Sequence, residues 1–522
     1  MPPEPPINVG QVICLTNALN QCLSRPSDET IWFEFSRIRE PPPVVTPTPT
    51  WLRDVRLRLG NAVVGYQDKN AGAITIECAI VQWRREKTSY YDDADHFARP
   101  QITDETFYQM MGMAHSKYAW HRLSRFPSRN SFQVPYAYVF QKSKSAIKNR
   151  LIVSYWVHPL KRIYNYGSRA LAFVLKHACM PSFTLWKTSD ITPSLRRWID
   201  DLLGKYGSNS RLLTACADAK EMYTSLKHAF VIQAIEYIVD RCRTHHRKGR
   251  RGVVRLQRGK RGPIFFGRSA NTTQYVNLTF TQVLEIVVTD IRTCYFKSLG
   301  VWLWQVVGVP MGSPGSPTYA ICICAYCEYQ FHQSVRDFAH LHKIPDWERI
   351  YRAARYVDDI LFVTVYDASS PESLRLAQSV VRHVFDGAYH SDMTIEAEPS
   401  DGWFPFLETL IQLPPKGPLS IRFQNKNWDE YVATGRIGKL TIQHRQSFMD
   451  ERTAVLRVYA TLYRVHRTAD DTFHRIMGTL ELFVLMRAQG YSASTFKAAL
   501  HKFAAAQHEA LWSKVAHLVD LL

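Results

Sequence analysis

No apolar run in the 522 residues reaches the ~18–20 that a membrane span needs. The N-terminal MPPEPPINVGQ has neither the basic-then-apolar layout of a secretory signal nor the Arg- and Ser-rich pattern of a transit peptide. A nuclear or cytoplasmic protein without membrane contact is expected. Cysteine is not scarce, at ten, but there is no pair of CxxC knuckles and no Cys/His zinc spacing. Cys322, Cys324 and Cys327 fall in an apolar stretch and read as small buried thiols. Reduced structural thiols fit an intracellular setting. No internal repeat occurs. Acidic residues are in deficit: 46 Asp and Glu face 65 Lys and Arg, a net charge of +19. A surplus of that size asks for a polyanionic partner, and with no amphipathic membrane helix evident, nucleic acid is the expected one.

What is present divides the chain. Its length exceeds what one core usually organises, so roughly two to four domains or subdomains are expected. Residues 1–50 concentrate proline and end in PPPVVTPTPT, an extended arm. Short apolar strands mixed with polar helical stretches follow to about residue 130. VPYAYVFQKSKSAIKNRLIVSYW reads as two β-runs around a basic turn, with a helix over about 159–178. RLLTACAD reads as a strand leading to a helix that starts near Ser225. Arg241 to Arg261 carries ten Lys/Arg in 21 positions, and its VVRL and PIFF runs suggest a basic hairpin. Thr279–Ser298 looks helical, and a further helix runs to about Val335. ARYVDDILFVTV has the pattern of two short strands joined at an acidic turn. Helices dominate from 450 onward, with starts near Asp470 and Ser492 and a stop at Gly490.

Three features carry chemistry. ACADAKEMY delivers Asp218 at the end of an apolar strand, with Tyr223 five residues on. VPMGSPGSP is rich in glycine and proline, and RYVDDILFV sets two aspartates between β-type residues. Adjacent aspartates conflict with strand burial, and such local conflicts concentrate at functional sites. A tight turn would put Asp358 and Asp359 at a hairpin tip, and a neighbouring strand would bring Asp218 within a few ångströms. Three crowded carboxylates stay ionised only beside cations. Their hard oxygens suit Mg²⁺, and a two-ion site stabilises both the attacking and the leaving oxygen of an in-line displacement. Alone, DD reads as a solvated turn and Asp218 as a helix N-cap; the ordered set favours catalysis.

Taken together, these segments resemble the motifs of reverse transcriptases: ADAKEMY motif A, GVPMGSPGSP motif B and YVDD motif C. The closer resemblance is to Penelope-like retroelement reverse transcriptases, on Met311 within MGSPGSP, on MYT at 222–224, and on MTIEAEPSDGWFPFLETLIQL after motif C. Upstream, Asp68 and Lys69 match the DK of the family's DKG-type segment, so the likeness covers roughly 60–500. Two departures stand out: Arg150 is followed by Leu151 and Ile152 where the family's fingers carry R-P-I, and the GIY-YIG nuclease of many such elements has no counterpart.

The resemblance implies an α+β right-hand fold. Its expected division is an arm (1–50), an N-terminal extension (51–130), fingers (131–210), a palm with a basic insertion at 241–261 (211–415), and a primer-grip region with helical thumb (416–522). It implies an RNA-directed DNA polymerase acting on an RNA template, a DNA or RNA primer and dNTPs with two Mg²⁺, Mn²⁺ substituting. Asp218 and Asp358 would ligate both ions with the Ala219 carbonyl, Asp359 in support. Tyr223 stands where a bulky ring excludes a ribose 2′-OH, or else packs in the core. Met311 and Gly312 would floor the incoming base, or simply open the next helix. Lys142, Lys144 and Arg150 would neutralise the triphosphate, or form a solvated basic loop. Arg247, Lys248, Arg250, Arg251, Arg258, Lys260 and Arg261 would contact phosphates, or act as a nuclear-localisation patch. Two other functions stay open: an RNA-dependent RNA polymerase or terminal transferase, and a non-catalytic nucleic-acid-binding protein.

Overall fold

The computed structural model describes residues 7–8, 31–34, 44–45 and 49–516. Excepted within the last range are 61, 68–69, 143–144, 221, 260–261, 342–348, 399, 401, 415–418, 438–441, 443, 446–449, 510–511 and 514. Most of the 1–50 arm, Asp68, Lys69, Lys144, Lys260 and Arg261 therefore lie outside the described residues.

At the centre is a four-stranded antiparallel sheet in the order Tyr351–Tyr356, Asp359–Asp367, Ser210–Lys220, Thr394–Glu398. Ile360 to Val365 are buried without interruption, as expected of a strand covered on both faces. Successive side chains leave opposite faces. Leu361, Val363 and Val365 join Leu212 and Cys216 against helix Ile191–Leu203 and the small sheet of Phe404, Ile411 and Ile421. Phe362 and Ala215 point the other way, onto Phe331 and Val335 of helix Ser316–Leu341 and Val380 and Val384 of helix Pro371–Gly387.

A five-stranded sheet combines Tyr136–Lys142 and Ser145–Ser154, the two expected β-runs, with Tyr295–Ser298, Val301–Gln305 and Phe97–Ala98. Here the helical expectation for 279–298 is corrected. Thr279 opens a helix with a full capping box, but that helix ends at Arg292. The chain then forms a two-residue hairpin through Leu299 and Gly300, both at positive φ (50° and 81°), matching the twist of paired strands. Leucine at such a position gives no turn signal, which hid the hairpin.

The helix expected near Ser225 begins at His228. Residues 223–226 are held out of it, because Tyr223 and Leu226 carbonyls accept from Val309 and Gly308 N–H at 2.7 Å each. The basic hairpin forms as expected, Val253–Gln257 pairing with Ile264–Phe266, and Tyr275–Thr279 adds an unforeseen third strand. In the C-terminal helices Asp450, Asp471 and Ser492 are the N-caps, and Gly490 stands at φ +81° just past Thr472–Ala488. Their apolar faces close a separate core around Leu462, Met486, Phe496 and Phe503.

Candidate active site

The acidic turn joins two paired strands. Tyr356 is opposite Asp359, leaving Val357 and Asp358 as a two-residue loop. Val357 takes φ +59°, a strained setting for a β-branched residue. It is held there from below. Arg355, fully buried, donates from Nη1 to the Val357 carbonyl at 2.9 Å and from Nη2 to Thr184 Oγ1 at 3.0 Å, and forms an ion pair with the equally buried Glu328. Glu328 also accepts from the Phe183 N–H at 2.8 Å and from the Tyr389 hydroxyl at 3.0 Å. Both charges are thus paired and hydrogen-bonded, the condition for tolerating them in a core.

On the neighbouring strand Asp218 lies directly across from Asp359, and on its other side across from Glu396. Cross-strand partners share a face, so Asp359, Asp218 and Glu396 form one row over three strands. The Ala219 N–H donates to the Asp358 carbonyl at 2.9 Å, fastening the turn to the Asp218 strand. Lys220 Nζ is hydrogen-bonded to Asp218 Oδ2 and lies 3.5 Å from Glu396 Oε2. Burial works against its charge, but the Asp218 bond and the two carboxylates hold its pKa above the ordinary lysine value.

The close crowding expected of the aspartates is not met in full. Among the described residues, the only group of three ligand-type side chains with donor atoms all within 4.8 Å of one another is Asp470, Asp471 and His474. Asp470 there is a structural tie, accepting from the Ile421 N–H at 2.9 Å and bonded to His474 Nδ1 at 2.8 Å. The aspartate row meets its repulsion with Lys220 instead. Its donors, hard carboxylate oxygens beside a backbone amide, remain a fitting set for a divalent ion.

The Gly-rich segment packs between the Val153 strand and the Tyr223 turn. Met311 accepts from the Val153 N–H at 3.0 Å, and Gly312 sits at φ +139°. A Cβ on Gly312 would fall 2.0 Å from the Val153 carbonyl oxygen, and one on Gly308 2.5 Å from that of Tyr223. Only glycine permits both approaches. Ser313 and Tyr319 hydroxyls donate to the buried Asp290 at 2.5 and 2.8 Å; burial raises the Asp290 pKa to about 6. The Tyr223 hydroxyl is pushed up to about 12 by burial and then by the Asp358 charge, with Arg150 and Arg355 opposing. Tyr223, Asp358 and Arg150 therefore share one neighbourhood. Lys142, exposed at a strand end, stands opposite Ser145 at the turn of the Arg150 hairpin.

Arg247, Lys248, Arg250 and Arg251 are exposed around a short turn after helix His228–His245. Arg258 is committed differently, its guanidinium donating to the carbonyls of Thr272, Arg122 and His121. Cys322, Cys324 and Cys327 are buried thiols, as expected. Among the described residues, no helix is long and apolar enough to cross a membrane.

Neither a protein-family model nor a curated protein sequence matches the chain. Solved structures do resemble it. Telomerase from Candida albicans in complex with a TWJ fragment of telomeric RNA aligns over 90% of this chain and 67% of its own, with TM-score 0.53 and 12% identity. The chain has a right-hand polymerase fold. A truncated apo telomerase from Candida tropicalis (TM-score 0.45, 12% identity, 72% of this chain and 65% of that one) and the Sicinivirus 3Dpol RNA-dependent RNA polymerase (0.37, 11%, 71% and 68%) are more distant in shape. The chain thus spans about two thirds of the telomerase chains' length.

Within this polymerase fold, sequence reasoning missed Lys220, Glu396, Arg355 and Glu328. The arginine beside YVDD was a signal available to it. Glu396 enters the row only through strand register, which no spacing announces.

Proposed function

We propose that this polymerase fold is an RNA-directed DNA polymerase of Penelope-like type, adding dNTPs to a primer 3′ end on an RNA template. The observation that carries the reading is the alignment of Asp218 with Asp359 across two strands, beside a strained turn that presents Asp358. Two Mg²⁺ ions, or Mn²⁺ in their place, held by Asp218 and Asp358 with the Ala219 carbonyl and Asp359 in support, would activate the primer oxygen and stabilise the leaving pyrophosphate. Arg150, helped by Lys142 and Lys144, would orient and neutralise the triphosphate. Met311 and Gly312 would support the base pair from below, and the Tyr223 ring would exclude a 2′-hydroxyl. Residues 131–210 would act as fingers, 211–415 as palm and 416–522 as primer grip and thumb. The exposed basic turn, with Lys260 and Arg261, would bind phosphates, while Arg258 would brace it. The site of action would be nucleus or cytoplasm.

Primer extension on poly(rA)/oligo(dT) tests this. Incorporation of dTTP with Mg²⁺ or Mn²⁺, abolished by Asp218→Ala and by Asp358→Ala in folded protein, is the expected outcome. A wild-type protein inactive with both ions would overturn it. The second reading, an RNA polymerase or terminal transferase, gains if the wild type prefers rNTPs. Under the first reading, Tyr223→Val relaxes sugar selection instead.

A further inference from the structure

Lys220 follows Asp218 by two positions on one strand, so both side chains leave the sheet on the same face. Its ammonium is bonded to Asp218 and stands 3.5 Å from Glu396, the cross-strand neighbour of Asp218. One lysine is thus shared between a carboxylate of the proposed metal site and a carboxylate just outside it. The two differ in setting: the Asp218 side chain is 20% exposed and that of Glu396 59%.

We propose that Lys220 is an internal counter-ion, seated on Asp218 in the metal-free protein and passed to Glu396 when a divalent cation arrives. Glu396 then governs cation affinity without ligating the cation. The proposal rests on the polymerase reading of Asp218. Neighbouring carboxylates need a cation to remain ionised together, and with no metal bound the ammonium supplies it. A divalent ion at Asp218 would repel an ammonium that stayed, so Lys220 must leave. Glu396 offers a second acceptor within a side-chain adjustment, and its greater exposure returns the ammonium toward water. The lysine keeps a partner throughout, and the site is neither collapsed when empty nor blocked when filled.

The test is equilibrium Mn²⁺ binding to the full chain, followed by electron paramagnetic resonance without nucleotide or nucleic acid. Lys220→Gln should bind Mn²⁺ about fivefold tighter and Glu396→Gln about fivefold weaker, the scale of one partly exposed ion pair. Lys220→Arg, which keeps the charge, should stay near wild type. In the Lys220→Gln background, Glu396→Gln should change affinity little, because no ammonium remains to be relocated. An unchanged or weaker affinity in Lys220→Gln overturns the proposal. So does an undiminished Glu396→Gln effect in the double variant, which would make Glu396 a direct ligand. Asp218→Asn separates this from the broader reading. If it binds Mn²⁺ like wild type, the ion is not at Asp218 and both fall; if it loses binding while Lys220→Gln is indifferent, only the counter-ion falls. Circular dichroism melts of each variant confirm that the fold is intact.

Discussion

Arg355 donates to the carbonyl oxygen of Val357, the turn residue held at φ +59°. The bond joins a buried ion pair to the tip that presents Asp358. Arg355→Met would leave Glu328 buried without its counter-charge, a loss of about 3–5 kcal/mol. Urea unfolding should show that loss, and adding Glu328→Gln should recover part of it. A single variant as stable as wild type would remove Arg355 from this role.

Gly312→Ala should be far worse than an ordinary surface change. The added carbon meets the Val153 carbonyl at 2.0 Å, and φ +139° is itself unfavourable for alanine. A stability loss of about 3 kcal/mol or a displaced loop is expected, read by denaturant midpoint together with primer extension. Gly402→Ala is a fair control: it shares a positive φ of 62° but has nothing within 4 Å of its Cβ.

Asp290 makes stability depend on pH. Its pKa rises from 3.8 unfolded to about 6 folded, mainly through burial. Between these values the folded chain holds the proton more tightly, so this residue's contribution falls as pH climbs from about 4 to about 6 and is lowest above that. Asp290→Asn should flatten that segment of the stability profile by up to about 3 kcal/mol. An identical slope in the variant would place the dependence elsewhere.

Neutralising Arg247, Lys248, Arg250 and Arg251 together should weaken RNA and DNA binding across sequences. The slope of log affinity against log salt should fall by about one for each phosphate no longer neutralised. Titrations at several salt concentrations read this directly. A parallel, merely shifted line would assign the run another task.

Much of the local geometry around the aspartates was legible because its signals are local. The apolar runs before Asp218 and after Asp359 each specify a strand, and the aspartate pair that interrupts ARYVDDILFV specifies the turn between Tyr351–Tyr356 and Asp359–Asp367. The helix starts expected near Asp470 and Ser492 fall at the caps Asp471 and Ser492 for the same reason, since a cap acts on the next three residues. What escaped depends on partners distant in sequence. Glu328 is an ordinary helix acid until Arg355, 27 residues on, is folded against it. Glu396 joins Asp218 through register alone. The early end of helix Phe280–Arg292 escaped because apolar residues at 295–305 suit helix and strand equally.

The Val153–Met311 hydrogen bond has a mechanical consequence. The Gly-rich loop is pinned at one end to the hairpin of Arg150 and at the other, through Gly308 and Val309, to the turn of Tyr223. A linkage pinned at both ends transmits displacement rather than absorbing it. Any shift of the Arg150 hairpin at Val153 is therefore handed to the Gly-rich loop and on to the Tyr223 turn, so three segments far apart in sequence move as one unit.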